Sequence, residues 1–126
     1  MILVDTPVWI DHLHKGVPEL VDRLDAGEVL AHPHVIGELA CGNVKNRAAV
    51  LSSLAALPSA VTATNDEVLA LIARQSLMGR GLGFFDAHLL ASAALTPECR
   101  LWTRDRRLRT IAESLELSYA ERKQSS

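Results

Sequence analysis

Short apolar runs alternate with stretches of helical spacing along the whole chain. Ile2-Leu3-Val4 has β-branched members and reads as a buried strand. It stops at Asp5, and Thr6-Pro7 then offers a side-chain cap followed by proline at the first helical position. A helix is expected from about Pro7 to His14, ended by Gly16, and a second opens at Pro18 and closes at Gly27. Val29-Leu30-Ala31 reads as another strand, Val35 to Ala40 as a helix with Gly42 beyond it, and Arg47 to Leu54 as a helix stopped near Pro58. Val61 is expected to centre a short strand. Thr64 or Asn65 caps a helix whose stripe is Val68, Leu69, Ile72 and Leu77. After the glycine-rich link Gly79 to Gly83, the helix from about Asp86 to Leu95 is nearly all apolar and should be central. Leu101-Trp102-Thr103 is a further strand and Leu108 to Leu115 a further helix. A single domain is expected over residues 1–120, with a polar, fraying tail at 121–126.

This alternation predicts an α/β fold, a three-layer α/β/α arrangement around a mostly parallel sheet of four to five short strands. In such sheets the ligand site lies beyond the carboxyl ends of the strands. Asp5 directly follows the first strand, and Asp105 lies two residues past the Leu101–Thr103 run. An acidic crevice is expected there.

A length of 126 residues suits one domain, and a hydrophobic share of 48% excludes a disordered chain. Cys41 and Cys99 make neither a disulfide framework nor a CxxC metal knuckle. The start, MILVDTPVWID, has no basic segment or small-residue cleavage site, and no apolar run reaches the roughly 18 residues of a membrane span. A cytoplasmic protein with no membrane association is expected. The net charge of −2 argues against general nucleic-acid binding. Yet with four acids gathered around a cation, 13 basic residues face 11 remaining acids, so placement matters more than the total.

Asp5, Asp86 and Asp105 each have an ordinary reading as turn or cap residues, and Glu38 as part of a solvated helix face. Glu38 fits that reading least, because Val35, Ile36, Leu39, Ala40 and Cys41 surround it; Asp86 sits similarly among Phe84, Phe85, Leu89 and Leu90. Two carboxylates about 5 Å apart repel by roughly 3 kcal/mol at an effective dielectric near 20. Four in one place must protonate, find basic partners or bind a divalent cation, and oxygen-only sites suit Mg2+ or Mn2+.

The residues VDTPVWIDHL, HPHVIGELACG, GRGLGFFDAHLLASAAL and LWTRDRRL, in that order and spacing, resemble the PIN-domain ribonucleases, specifically the VapC-type toxins of toxin–antitoxin modules. The resemblance implies that Asp5, Glu38, Asp86 and Asp105 are the catalytic, metal-binding acids. Thr6 and Thr103 then match the supporting hydroxyl positions. It implies an Mg2+- or Mn2+-dependent endoribonuclease leaving a 5′-phosphate and a 3′-hydroxyl, a homodimer, a VapB-like antitoxin partner, and contact with DNA only through that antitoxin. Proline at position 7, where serine is frequent in the family, is the one departure noted.

Other candidates stay open at this level. His12/His14 and His32/His34 lack the further ligands a zinc site needs. His34, one helical turn before Glu38, either touches substrate or a metal-bound carboxylate or is a solvated helix-terminal histidine. Arg80 either belongs to a capping turn or reaches the site rim. Arg104, Arg106, Arg107 and Arg109 either hold phosphates or make a solvated face, with Arg104 and Arg106 nearest the proposed ligand. Trp9 and Trp102 can stack on bases but lie in apolar runs. From other classes, a magnesium-binding receiver domain lacks here its paired acids after the first strand and its lysine after the last. A silent antitoxin-binding subunit would keep the fold without the chemistry.

Overall fold

The computed structural model describes residues 1–122. Three strands, β1 (Ile2–Val4), β2 (Val29–Leu30) and β3 (Arg100–Trp102), form a parallel sheet in the order β2-β1-β3. Leu3 sits between Leu30 on one side and Leu101 on the other. The chain therefore leaves β1 first toward one neighbour and later toward the other. The carboxyl ends of all three strands share one edge, which carries Asp5, His32 and Thr103–Asp105 just beyond it.

The helices are α1 (Thr6–Lys15), α2 (Pro18–Asp25), α3 (Pro33–Cys41), α4 (Arg47–Ala55), α5 (Asn65–Arg74), α6 (Phe84–Leu95) and α7 (Arg106–Ser114). Proline stands in the first turn of α1, α2 and α3, where its missing N–H costs nothing. A capping box between Thr64 and Glu67 starts α5. Residues 87–93 of α6 are all buried, so this apolar helix is the central one expected. Leu3, Leu39, Leu89, Leu101, Trp102 and Leu108 are among the fully buried core side chains.

Among the described residues the sheet has three strands rather than the four to five expected. Each edge gains only a single-residue parallel bridge, Ala31 to Ser59 and Leu101 to Ser118. Val61 centres no strand, because its N–H donates to Thr96 Oγ1 at 2.9 Å and its side chain is exposed. The cap of α1 is Asp5, not Thr6, which becomes the first helical residue. Asp86 caps nothing: Gly83 holds the cap position of α6 and Asp86 lies inside its first turn. The tail expected to fray starts with two tethered residues. Glu121 accepts from Trp102 Nε1 at 3.1 Å, and the Arg122 N–H donates to Glu19 at 2.9 Å. The remainder of that tail, 123–126, lies outside the described residues. Among the described residues no helix is long and apolar enough to cross a membrane.

Candidate active site

Asp5 stands where β1 turns into α1. It is 2% exposed. Its Oδ1 accepts from the Thr6 N–H and its Oδ2 from Thr103 Oγ1, both at 2.8 Å. Burial pushes its carboxyl pKa up, the Thr103 and Thr6 bonds pull it down, and nearby Asp105 and Glu38 push it up again. Thr103 is a hinge between two acids, since its Oγ1 also accepts from the Asp105 N–H at 3.1 Å. Asp105 caps α7, with Oδ1 accepting from the Leu108 N–H at 2.9 Å. That bond occupies one carboxylate oxygen.

Asp86 comes from the first turn of α6. Its carboxyl is pushed up to about 6, first by burial and then by the charges of Asp5, Asp105 and Glu38. A helix N-terminus ordinarily favours the carboxylate form, so desolvation and like charge outweigh it here. Glu38 comes from α3 and is exposed. All four acids line one cleft of about 170 Å³, together with Thr6, Pro7, Ile10 and Phe85. No lysine or arginine is among these lining residues.

Volume alone does not select this site. Three depressions are wider, two of about 750 and 790 Å³ near Arg109 and Glu121 and one of about 560 Å³ beside Glu38 and Lys45, but each mixes acids with bases. The small cleft is the one where like charges collect. As they stand, no three His, Cys, Asp or Glu side chains among the described residues close to ligand spacing around one point. The carboxylates thus border a common space without forming a finished cage. An oxygen-only donor set with excess negative charge suits a hard divalent cation, which would both draw the acids inward and relieve their repulsion.

The other sequence candidates fall elsewhere. Arg104 is held by two acids: Nη1 donates to Asp11 at 2.6 Å, Nε to Glu121 at 3.1 Å, and Nη2 to the same Glu121 carboxylate. These bonds commit its guanidinium to an internal ion cluster instead of the cleft. Arg106 is exposed at the start of α7, and Arg80 is exposed in the link before α6; neither lines the cleft. His34 also does not line it. Its ring packs among His32, His88 and Phe85, with centroids 5.0, 4.5 and 6.1 Å away.

The sequence pattern raised His32 only as half of a zinc pair and did not reveal its capping role. His32 is fully buried and caps α3, its Nδ1 accepting from the His34 N–H at 3.0 Å. That leaves Nε2 as the protonated nitrogen, set 2.9 Å from Ser92 Oγ. Burial, then His34 and His88, lower its pKa to about 4, so the ring is neutral. A histidine directly before a helix-opening proline was the available signal, obscured because caps are usually Ser, Thr, Asp or Asn.

The chain matches the PIN domain family over residues 2–114. It is also similar to a protein named Ribonuclease VapC32 in two strains of Mycobacterium tuberculosis, CDC 1551 / Oshkosh and ATCC 25618 / H37Rv. Each is 50% identical over 121 residues, covering 96% of this chain and 98% of the relative. With a match that runs nearly end to end and a parallel sheet edged by acids at its carboxyl side, the chain belongs to the PIN-domain family.

Proposed function

We propose that this PIN-domain chain is an endoribonuclease and the toxin of a toxin–antitoxin pair, with Asp5, Glu38, Asp86 and Asp105 holding Mg2+ or Mn2+ and Thr6 and Thr103 supporting them. The observation that carries the reading is the gathering of four carboxylates, from four separate segments, on one cleft without a basic residue in its lining. The 50% identity over 96% of this chain to a relative named as a ribonuclease supports the substrate class. The VapC name of that relative supports a VapB-like antitoxin partner; a homodimer, a cytoplasmic setting and DNA reached only through the antitoxin are proposed from the family resemblance alone. The receiver-domain alternative is set aside by the PIN family match.

A divalent cation held here supplies Lewis-acid chemistry to an RNA phosphodiester. The chain's own part is to place and charge the donors. The Thr6 backbone N–H and the Thr103 hydroxyl each bond one Asp5 oxygen, fixing the carboxylate's plane while each oxygen keeps a lone pair; the Thr6 hydroxyl, expected as a support, has no partner among the described residues. The α7 cap engages Asp105 Oδ1 and leaves Oδ2 as its donor. Asp86 must be ionised to bind a cation, so burial and neighbouring charges set against it an affinity that rises with pH.

The test is RNA cleavage by purified protein with Mn2+, with a chelator, and in the Asp86→Asn variant. Cleavage that needs the metal and disappears in the variant is expected. Full activity in folded Asp86→Asn protein overturns the site assignment. Absence of cleavage with every divalent metal, alongside retained antitoxin binding, favours the silent binding subunit.

A further inference from the structure

The chain has two phenylalanines, Phe84 and Phe85, and both open helix α6 immediately before Asp86. Phe85 lines the acidic cleft. Phe84 is 48% exposed. The core elsewhere is filled by Leu, Val, Ile, Ala and Trp, so leaving a phenylalanine half in water forgoes much of the stabilisation its burial would give. Packing does not explain this placement.

The two rings belong to a connected row that leads out of the cleft. Phe85 meets His34 at 6.1 Å between centroids, His34 meets His88 at 4.5 Å, and His88 meets Phe84 at 4.8 Å. His88 is anchored, its Nε2 lying 2.9 Å from Asn65 Oδ1 at the start of α5. The His88 and Phe84 planes stand at 87°, so the contact is edge-to-face and leaves at least one face of Phe84 uncovered by it. A half-exposed ring packed edge-to-face on an anchored histidine, and joined through His34 to a cleft-lining ring, has the form of a stacking platform.

We infer that Phe84, backed by His88, stacks an unpaired nucleobase of the RNA whose phosphate enters the carboxylate cleft. The inference rests on the ribonuclease reading above. A substrate whose phosphate is held at the carboxylates runs its flanking nucleotides over the surface beside the cleft, and the row of rings from cleft-lining Phe85 through His34 and His88 to exposed Phe84 offers them one path. Stacking there requires the base to be splayed from any duplex. The preferred substrate is therefore a single-stranded segment or loop.

The experiment starts from a single-stranded oligoribonucleotide of about 12 nucleotides, within the site sizes of such proteins, that the wild-type protein cuts in Mn2+. It is remade with one abasic site at each position in turn. In wild-type protein one abasic position near the cut is expected to raise KM by about 5- to 100-fold, the usual worth of one stacked base. Phe84→Leu, which keeps apolar bulk without a π face, should raise KM for the intact oligonucleotide by a similar factor and lose all sensitivity to that abasic position. Phe84→Trp should restore both. Unchanged thermal unfolding of Phe84→Leu confirms that the effect is not a loss of fold. Wild-type KM and abasic profile in Phe84→Leu overturn the stacking inference. So does a variant that cuts RNA normally and loses only antitoxin binding, which assigns the ring to the protein partner. Wild-type protein that cuts no RNA overturns the ribonuclease reading itself and is told apart from both.

Discussion

Two charged clusters meet at the end of β3, and their chemistry runs in opposite directions. The extended backbone after the strand sends Thr103 and Asp105 to the cleft and Arg104 between them to the other side, where it joins Asp11 and Glu121. In the Arg104 cluster, two carboxylates share one guanidinium. Glu121 is held below its ordinary carboxylate pKa, chiefly by Arg104, and Arg104 is held above its own ordinary value, chiefly by Glu121. In the cleft, Asp5 and Asp86 are both pushed up. A cluster whose members ease one another's ionisation is complete within the chain. One whose members hinder it is waiting for a charge from outside.

The sharpest way to break this comparison is to remove one charge from each side. Asp86→Asn should cut RNA cleavage by about a hundredfold or more, since a cation-held site supplies several kcal/mol of transition-state stabilisation. Arg104→Met should leave cleavage per folded molecule intact, and single-turnover assays of both variants check the pair. Next in size is Thr103→Val, which strips the Asp5 Oδ2 bond and the acceptor for the Asp105 N–H. About a tenfold loss of activity or of metal affinity is expected for such a supporting group, with recovery in Thr103→Ser. Isothermal titration with Mn2+ gives the affinity.

On stability the order reverses. Arg104→Met should destabilise by about 1–2 kcal/mol in denaturant titration, because it strands two half-exposed acids in a partly solvated cluster. Stability also depends on pH. Asp86 titrates near 6 when folded against 3.8 unfolded, so the native state keeps a proton that the unfolded chain has released. Its contribution is complete below pH 3.8 and is lost as pH rises through about 6. Glu121, with its pKa lowered, contributes in the opposite sense and loses its contribution as pH falls. In metal-free protein, Tm should therefore decline from Asp86 between these values, Asp86→Asn should remove that decline, and Mn2+ should raise Tm more at pH 7 than at pH 5. A Tm profile that Asp86→Asn leaves unchanged would break the contrast.

What the sequence by itself determined was local or came through resemblance. The triplet Ile2-Leu3-Val4, the prolines that open helices and the apolar run of α6 each act over a turn or two, and the elements form close to where these patterns put them. Asp5 and Asp105 were legible as strand-end acids because a parallel α/β sheet turns from strand to helix there. Glu38 and Asp86 stood out because their neighbours are apolar. Tertiary structure alone decided that Val61 forms no strand, that Asp5 and not Thr6 caps α1, that Arg104 is spent on Asp11 and Glu121, and that His34 joins a ring cluster instead of lining the cleft itself. Arg104 shows the reason. Its partners lie on α1 and in the C-terminal segment, and no pattern within reach of position 104 says which side of the sheet an arginine will face. Periodicity and capping are set by neighbours a few residues away, whereas an ion pair is chosen by whichever opposite charge the packed chain brings within about 4 Å.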